Sequence, residues 1–217
     1  KAIKNGEEVM LDLYVCRTDA ETWADAGHEV AKQQYELSAR KELPELKSLH
    51  GKKQKLAVSD NENLLTVKNA YIEASFDKTT GQLVTLVMNG QQVVSQGGGF
   101  VYDNHRWIEN DKFTETANGL SEKGTCTVTE EKGNIIVTTN REGSLCSTDI
   151  VYTFTQTGIM DMEVVFRPHT ADLRRCGLVA NIDSTLNNID YYAYGPWENY
   201  NDRKDGCMVG RYTTTVE

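Results

Sequence analysis

Basic charge is scarce in this sequence. Its 217 residues hold 23 lysines and arginines against 32 aspartates and glutamates, a formal net charge of −9. Self-repulsion of that sign opposes binding to a phosphate backbone or an anionic membrane surface, so neither nucleic acid nor membrane is expected as a partner. Long apolar runs are lacking too. The longest, LVTLVM from Leu83, suits a buried strand and falls far short of the roughly 20 residues of a membrane-spanning helix. No charged start followed by an apolar stretch comes after Lys1, so no signal peptide is read. We expect a soluble chain, cytoplasmic or periplasmic.

Clustered metal ligands are also missing. The five cysteines (Cys16, Cys126, Cys146, Cys176 and Cys207) are widely spaced, odd in number and form no CxxC, which argues for separate buried thiols over a disulfide framework and leaves a single bridge open. The four histidines are scattered without the helical spacing of a zinc site. Neither GxSxG, nor a Walker loop, nor a dinucleotide fingerprint occurs, and the GGG at Gly97–Gly99 lacks the helix and lysine that cradle a phosphate. No metal and no cofactor are expected.

What is present is alternation of period two. AYIEASF sets Ala70, Ile72, Ala74 and Phe76 on one face. TDIVYTF aligns Ile150, Tyr152 and Phe154, and IMDMEVVF aligns Met160, Met162, Val164 and Phe166. Turn signals recur about every ten residues, the rhythm of an all-β sandwich or barrel. Gly81 in DKTTGQ, Asn89-Gly90, KGN at Lys132–Asn134 and Thr157-Gly158 each mark a hairpin. The spacing offers no helix–strand alternation for a parallel sheet. Residues 40–55, with a proline, a glycine and five lysines, read as a surface linker with a boundary near residue 50, and residues 97–123 read as a long irregular loop with one helical turn. Before the linker, Leu11, Leu13 and Val15 alternate, and Ala31, Tyr35 and Leu37 share a face. These are too few strands for an independent sandwich. A first residue other than methionine and a final GRYTTTVE that reads as an unfinished strand point to an excised piece of a longer protein.

Two constellations carry chemistry. YGPWENYNDR, residues 194–203, places Glu198 and Asp202 beside Trp197 and Tyr200. Paired carboxylates about 5–10 Å apart cleave glycosidic bonds, and an aromatic beside them stacks on sugar. The competing reading is structural: Gly195-Pro196 makes a corner, Arg203 forks onto Glu198 or Asp202, and Trp197 and Tyr200 pack against neighbouring loops or a missing domain. DNHRWIEND, residues 103–111, holds Asp103, His105 and Trp107 among further acids and amides. It lacks the EF-hand spacing, and reads as a solvated or interface loop or a ligand contact.

Four stretches also carry a resemblance: WADAGHEVAKQQYEL (Trp23–Leu37), FDKTTGQL (Phe76–Leu83), RRCGL (Arg174–Leu178) and YGPWENYNDR. In order and spacing they resemble the C-terminal part of the β-galactosidases of glycoside hydrolase family two. The resemblance implies that residues 1–50 are the end of an immunoglobulin-like β-sandwich domain. It implies that residues 51–217 are the N-terminal part of the final domain, an antiparallel β-supersandwich similar to galactose mutarotase. The family's two catalytic glutamates lie in its (β/α)₈ barrel and have no counterpart here. The chain departs from the family at YDNHRWIEND, where an RAPTDND-like segment is usual, so no site role carries over to that loop. Family members also continue past the position of Glu217, through a segment whose tryptophan lines the galactose site.

The resemblance thus implies a non-catalytic region of a β-galactosidase, supporting the catalytic barrel and edging its substrate subsites, with galactosides as the ligand class. No catalytic residue is assigned. Trp197, Glu198, Tyr200, Asp202, Arg203, Asp103, His105 and Trp107 are the carbohydrate-contact or interface candidates. Unpaired strand edges in such a piece would favour a homo-oligomer. The other reading is a stand-alone carbohydrate-binding or mutarotase-like module, which needs a histidine and a glutamate in one cleft: His105 or His169 with Glu198.

Overall fold

A computed structural model describes residues 7–39, 46, 48–95, 98–104, 120–171, 173 and 175–216. Among them there are fifteen strands and no helix, and every strand pairing is antiparallel. The chain folds into two compact units, residues 1–45 together with 187–217, and residues 46–186.

The second unit is a β-sandwich. One sheet has the order β3 (Ala57–Asp60), β4 (Leu64–Lys68), β5 (Ile72–Asp77), β6 (Gln82–Met88), β7 (Gln91–Val94). The other has the order β12 (Met160–Pro168), β11 (Cys146–Phe154), β10 (Asn134–Gly143), β9 (Leu120–Glu131). A short pair, β8 (Val101–Asp103) with β13 (Gly177–Val179), completes the unit. Alternation decides which side chains go inside. Along β11, Cys146, Thr148, Ile150, Tyr152 and Phe154 are buried while the residues between them stay half-buried. From the facing sheet Val67, Ile72, Ala74, Phe76 and Leu83 meet them in one core. Phe76 lies edge-on to Tyr152, with ring centroids 5.0 Å apart, and to Phe154 at 6.1 Å. Such edge-to-face contacts suit the charge distribution of the rings and add to the area they bury.

The hairpins follow their turn residues. Asn89 and Gly90 (φ 52° and 79°) join β6 to β7, and Lys132 and Gly133 (φ 54° and 84°) join β9 to β10, both left-handed pairs that match the twist of the strands. Between β5 and β6, Asp77 Oδ1 accepts the Thr79 hydroxyl at 2.6 Å and the amides of Thr79 and Thr80 at 2.7 and 3.0 Å. Gly81 supplies the left-handed step at φ 67°. The Thr79 hydroxyl foremost, with the two amides, holds the Asp77 carboxyl below its ordinary range against the opposing effect of burial. A carboxylate with a depressed folded value contributes stability at pH above its unfolded value and loses that contribution as pH falls through the folded one. Between about pH 5 and pH 2 the native chain should therefore lose more stability than Asp77→Asn. Chemical denaturation across that range measures it, and parallel pH profiles for the two chains would refute it.

Two regions differ from the sequence reading. The stretch 97–123 contains β8 and the start of β9 at its ends, and its residues 105–119 lie outside those described. Three residues are too few to show a period, so β8 left no trace in the pattern. The linker read at 40–55 is described from residue 48 on, and there it is tied down: the His50 amide donates to Thr157 O at 3.1 Å and the Gln54 amide to Gln156 O at 2.9 Å. Leu56 then enters the core.

In the first unit, β1 (Val9–Cys16) pairs with β2 (Glu29–Ser38), and β14 (Asn188–Gly195) pairs with β15 (Met208–Thr215). Gln34 of β2 joins the two hairpins. Its Nε2 donates to Val209 O at 2.9 Å while its Oε1 accepts the Val209 amide at 2.7 Å. Tyr14, on the same face of β1, donates its hydroxyl to Met208 Sδ at 3.8 Å. The opposite face carries Leu11, Leu13, Val15, Tyr35 and Leu37, all between 42 and 59% exposed.

Candidate functional site

The YGPWENYNDR segment begins in β14 and forms the loop that returns to β15. Register places Gly195 opposite Met208, and the following Gly195-Pro196 peptide is cis. The loop closes on itself: the Arg203 amide donates to Tyr200 O at 2.9 Å, the Cys207 amide to Lys204 O at 3.0 Å, and Asn199 Nδ2 to Tyr194 O at 3.2 Å. The Cys207 thiol is buried beneath it, 3.5 Å from Trp197 O. At the hairpin base Tyr212 donates its hydroxyl to Met208 O at 2.8 Å, and burial raises its phenol above the ordinary value.

Glu198 and Arg203 pair at 3.1 Å, as one of the two sequence readings had it. Their side chains are 71 and 66% exposed, so this is a solvated pair worth at most about 1 kcal/mol. Trp197 is 71% exposed, Tyr194 53% and Tyr200 48%. Tyr194 near the end of β14, and Trp197, Tyr200 and Asp202 on the loop that follows, are thus each open to solvent, and exposed aromatic rings and carboxylates are groups that can stack on and hydrogen-bond a sugar. Lys32, Gln34, Tyr194, Lys204, Asp205 and Met208 border an open groove of about 410 Å³.

Asp103 belongs to the second unit. It ends β8 opposite Gly177, is 8% exposed, and lies 3.4 Å from the Arg175 guanidinium. Asn104 beside it is buried, and so is Tyr102, whose phenol burial pushes up to about 12. His105 and Trp107 lie outside the described residues. His169 Nε2 sits 2.8 Å from Ser147 Oγ. No group of three or more acidic, histidine or cysteine side chains among the described residues has metal-binding geometry.

Sequence reasoning missed Gln34. Its amide reads the backbone of Val209, a contact between residues 175 apart that no local pattern announces. Its place inside the WADAGHEVAKQQYEL stretch was the one available hint.

Residues 68–217 match the family model described as beta galactosidase small chain. The chain belongs to the β-galactosidase small-chain family. Relatives agree along nearly its whole length. It is 26% identical over 223 residues to a beta-galactosidase of Priestia megaterium, covering 97% of this chain and 21% of that protein. A beta-galactosidase of Vibrio cholerae is 26% identical over 94% of this chain and 22% of its own length. One of Streptococcus thermophilus is 22% identical over 98% and 21%. The chain thus spans about a fifth of the length of the curated relatives it matches. Of the four resembling stretches, FDKTTGQL, RRCGL and YGPWENYNDR fall inside the small-chain match, and WADAGHEVAKQQYEL precedes it.

Proposed function

We propose that this chain is the non-catalytic C-terminal region of a β-galactosidase, with residues 1–50 as the end of an immunoglobulin-like domain and 51–217 as the first part of the supersandwich. In the parent enzyme it supports the catalytic barrel, which performs the retaining hydrolysis of terminal β-galactosides. The alignment carries this reading: nearly all of the chain corresponds to about a fifth of each β-galactosidase. Two structural features support it. The carboxylate best placed for chemistry, Glu198, is engaged by Arg203 on an open surface, whereas a working general acid needs a site that excludes water. The face of β1 and β2 bearing Leu11, Leu13, Val15, Tyr35 and Leu37 is apolar and open, as a surface covered by further sandwich strands would be.

The purified chain should not turn over a chromogenic β-galactoside. Turnover that disappears in Glu198→Gln or Asp202→Asn would overturn the proposal. The exposed trio Tyr194, Trp197 and Tyr200 favours a second reading, a carbohydrate-binding module. Galactose or lactose titrated into the chain separates the two: saturable binding at millimolar concentration or below, lost in Trp197→Ala, supports the module, and a flat titration supports the supporting role.

A further inference from the structure

In the second unit β12 stands at one end of its sheet, with β11 on one side and no described strand on the other. The other outer strands of that unit are short or occupied. β3 and β7 have four residues each, and β7 is joined through Val94 to Ile182. β9 meets the Asp77–Gly81 turn, where its Gly124 amide donates to Thr79 O at 2.9 Å. β12 runs nine residues in unbroken register with β11, without the bulge or the lysine that commonly protects an edge, and its one proline, Pro168, comes last. The alternate amides and carbonyls that point away from β11 therefore offer a ladder to another strand.

The side chains of β12 show which strand fits. Met160, Met162 and Val164 are half-buried against the core and Phe166 continues their row, while Asp161, Glu163, Val165 and Arg167 face outward. A strand of the same sequence, laid antiparallel about a two-fold axis at Val164, keeps both faces in order. Val164 then meets its own copy, Met162 meets Phe166, and Asp161 meets Arg167, the last two pairings each occurring twice. Arg167 is paired with Asp149 of β11 and is still exposed, so its guanidinium can take a second carboxylate. Pro168 falls opposite Met160 at the end of the ladder, where a missing N–H matters least. Sliding the register by two residues one way sets Glu163 against Glu163, and the other way moves Pro168 inward to face Met162. Sliding it by one exchanges the inner and outer faces.

We infer that two copies of this chain associate edge to edge through β12, in the register centred on Val164, so that four strands from each copy form one continuous sheet. The two Asp161–Arg167 pairs and the apolar row of Met162, Val164 and Phe166 make the edge complementary to itself, which favours a second copy over an unrelated strand. This inference concerns the edge of the second unit and does not depend on the proposed function.

The test follows the mass of the 217-residue chain by light scattering and sedimentation over a wide concentration range. One strand pair is a small interface, so a monomer–dimer equilibrium with a dissociation constant on the order of 100 µM is expected. Asp161→Arg sets arginine against arginine at both ends of the ladder and should weaken the dimer about tenfold, and Arg167→Glu, which sets acid against acid, should do the same. Mixed together, the two variants should form a heterodimer about as tight as the native dimer, because every opposed pair is again of unlike sign. Misfolding of either variant could not be rescued in this way. Glu163→Arg, which faces Val165, should change the association by less than about threefold. A strictly monomeric chain would overturn the inference, and so would a dimer that survives Asp161→Arg unchanged, since another surface would then hold it. A mixture that fails to dimerise, or a dimer broken by Glu163→Arg and not by Asp161→Arg, would overturn it as well.

Discussion

Truncating Phe76 to alanine should destabilise the second unit by about 4 kcal/mol, lowering its melting temperature by roughly 10 °C. Phe76 is completely buried on the inner face of β5, and its ring touches two aromatics of the opposite sheet, Tyr152 at 62° between ring planes and Phe154 at 80°. Removing it takes away the buried area and both edge-to-face contacts, and it leaves a cavity walled by two strands that cannot close without moving a sheet. The loss should therefore sit at the high end for a core truncation. Val165, on the outer face of β12 and 43% exposed, supplies the comparison: Val165→Ala should change stability by less than about 0.5 kcal/mol. Urea unfolding of both variants measures the contrast. A Phe76→Ala cost under about 1 kcal/mol would mean that the two sheets do not share the core described above.

Gly124→Ala should cost about 3 kcal/mol through the opposite mechanism, overpacking. Gly124 lies in β9 across from Arg141, and its amide donates to Thr79 O at 2.9 Å. A Cβ built there would stand 2.2 Å from Thr80 O and 2.5 Å from Asn140 O, both backbone atoms held in hydrogen-bonded structure. A flexible side chain could swing aside, but a backbone carbonyl in a ladder cannot. Relief would have to come from parting β9 from the Asp77–Gly81 turn. Gly51, with open space where its Cβ would be, is the control, and Gly51→Ala should be near neutral. Equal melting temperatures for Gly124→Ala and the unaltered chain would show that the turn does not pack on β9.

Much of the second unit was legible beforehand because half-buried strands write their burial into the sequence. The faces assigned to Ile72, Ala74 and Phe76, to Ile150, Tyr152 and Phe154, and to Met160, Met162, Val164 and Phe166 are the faces turned toward the core. The left-handed turn at Asn89-Gly90 was equally readable, since asparagine and glycine are among the few residues that accept a positive φ, whereas at KGN the hairpin was read but not the positive φ that Lys132 adopts. The candidate site was less so. The Glu198–Arg203 pair was one of two readings of its segment, but whether Trp197 and Tyr200 are covered or open depends on what stands opposite them, and residues 194–203 alone cannot say.

The sequence by itself determined that this chain is all-β and antiparallel, which inward faces build the sandwich, and that it belongs with the β-galactosidases. Alternation, turn chemistry and collinear motifs are properties of neighbouring residues and survive without a partner. Only the tertiary structure decided that Gln34 would clasp Val209 and that β14 and β15 would join β1 and β2 in one unit. Each of these brings together residues that are not neighbours in sequence, and their approach is set by how sheets stack and hairpins pair, for which a linear pattern carries no coordinate.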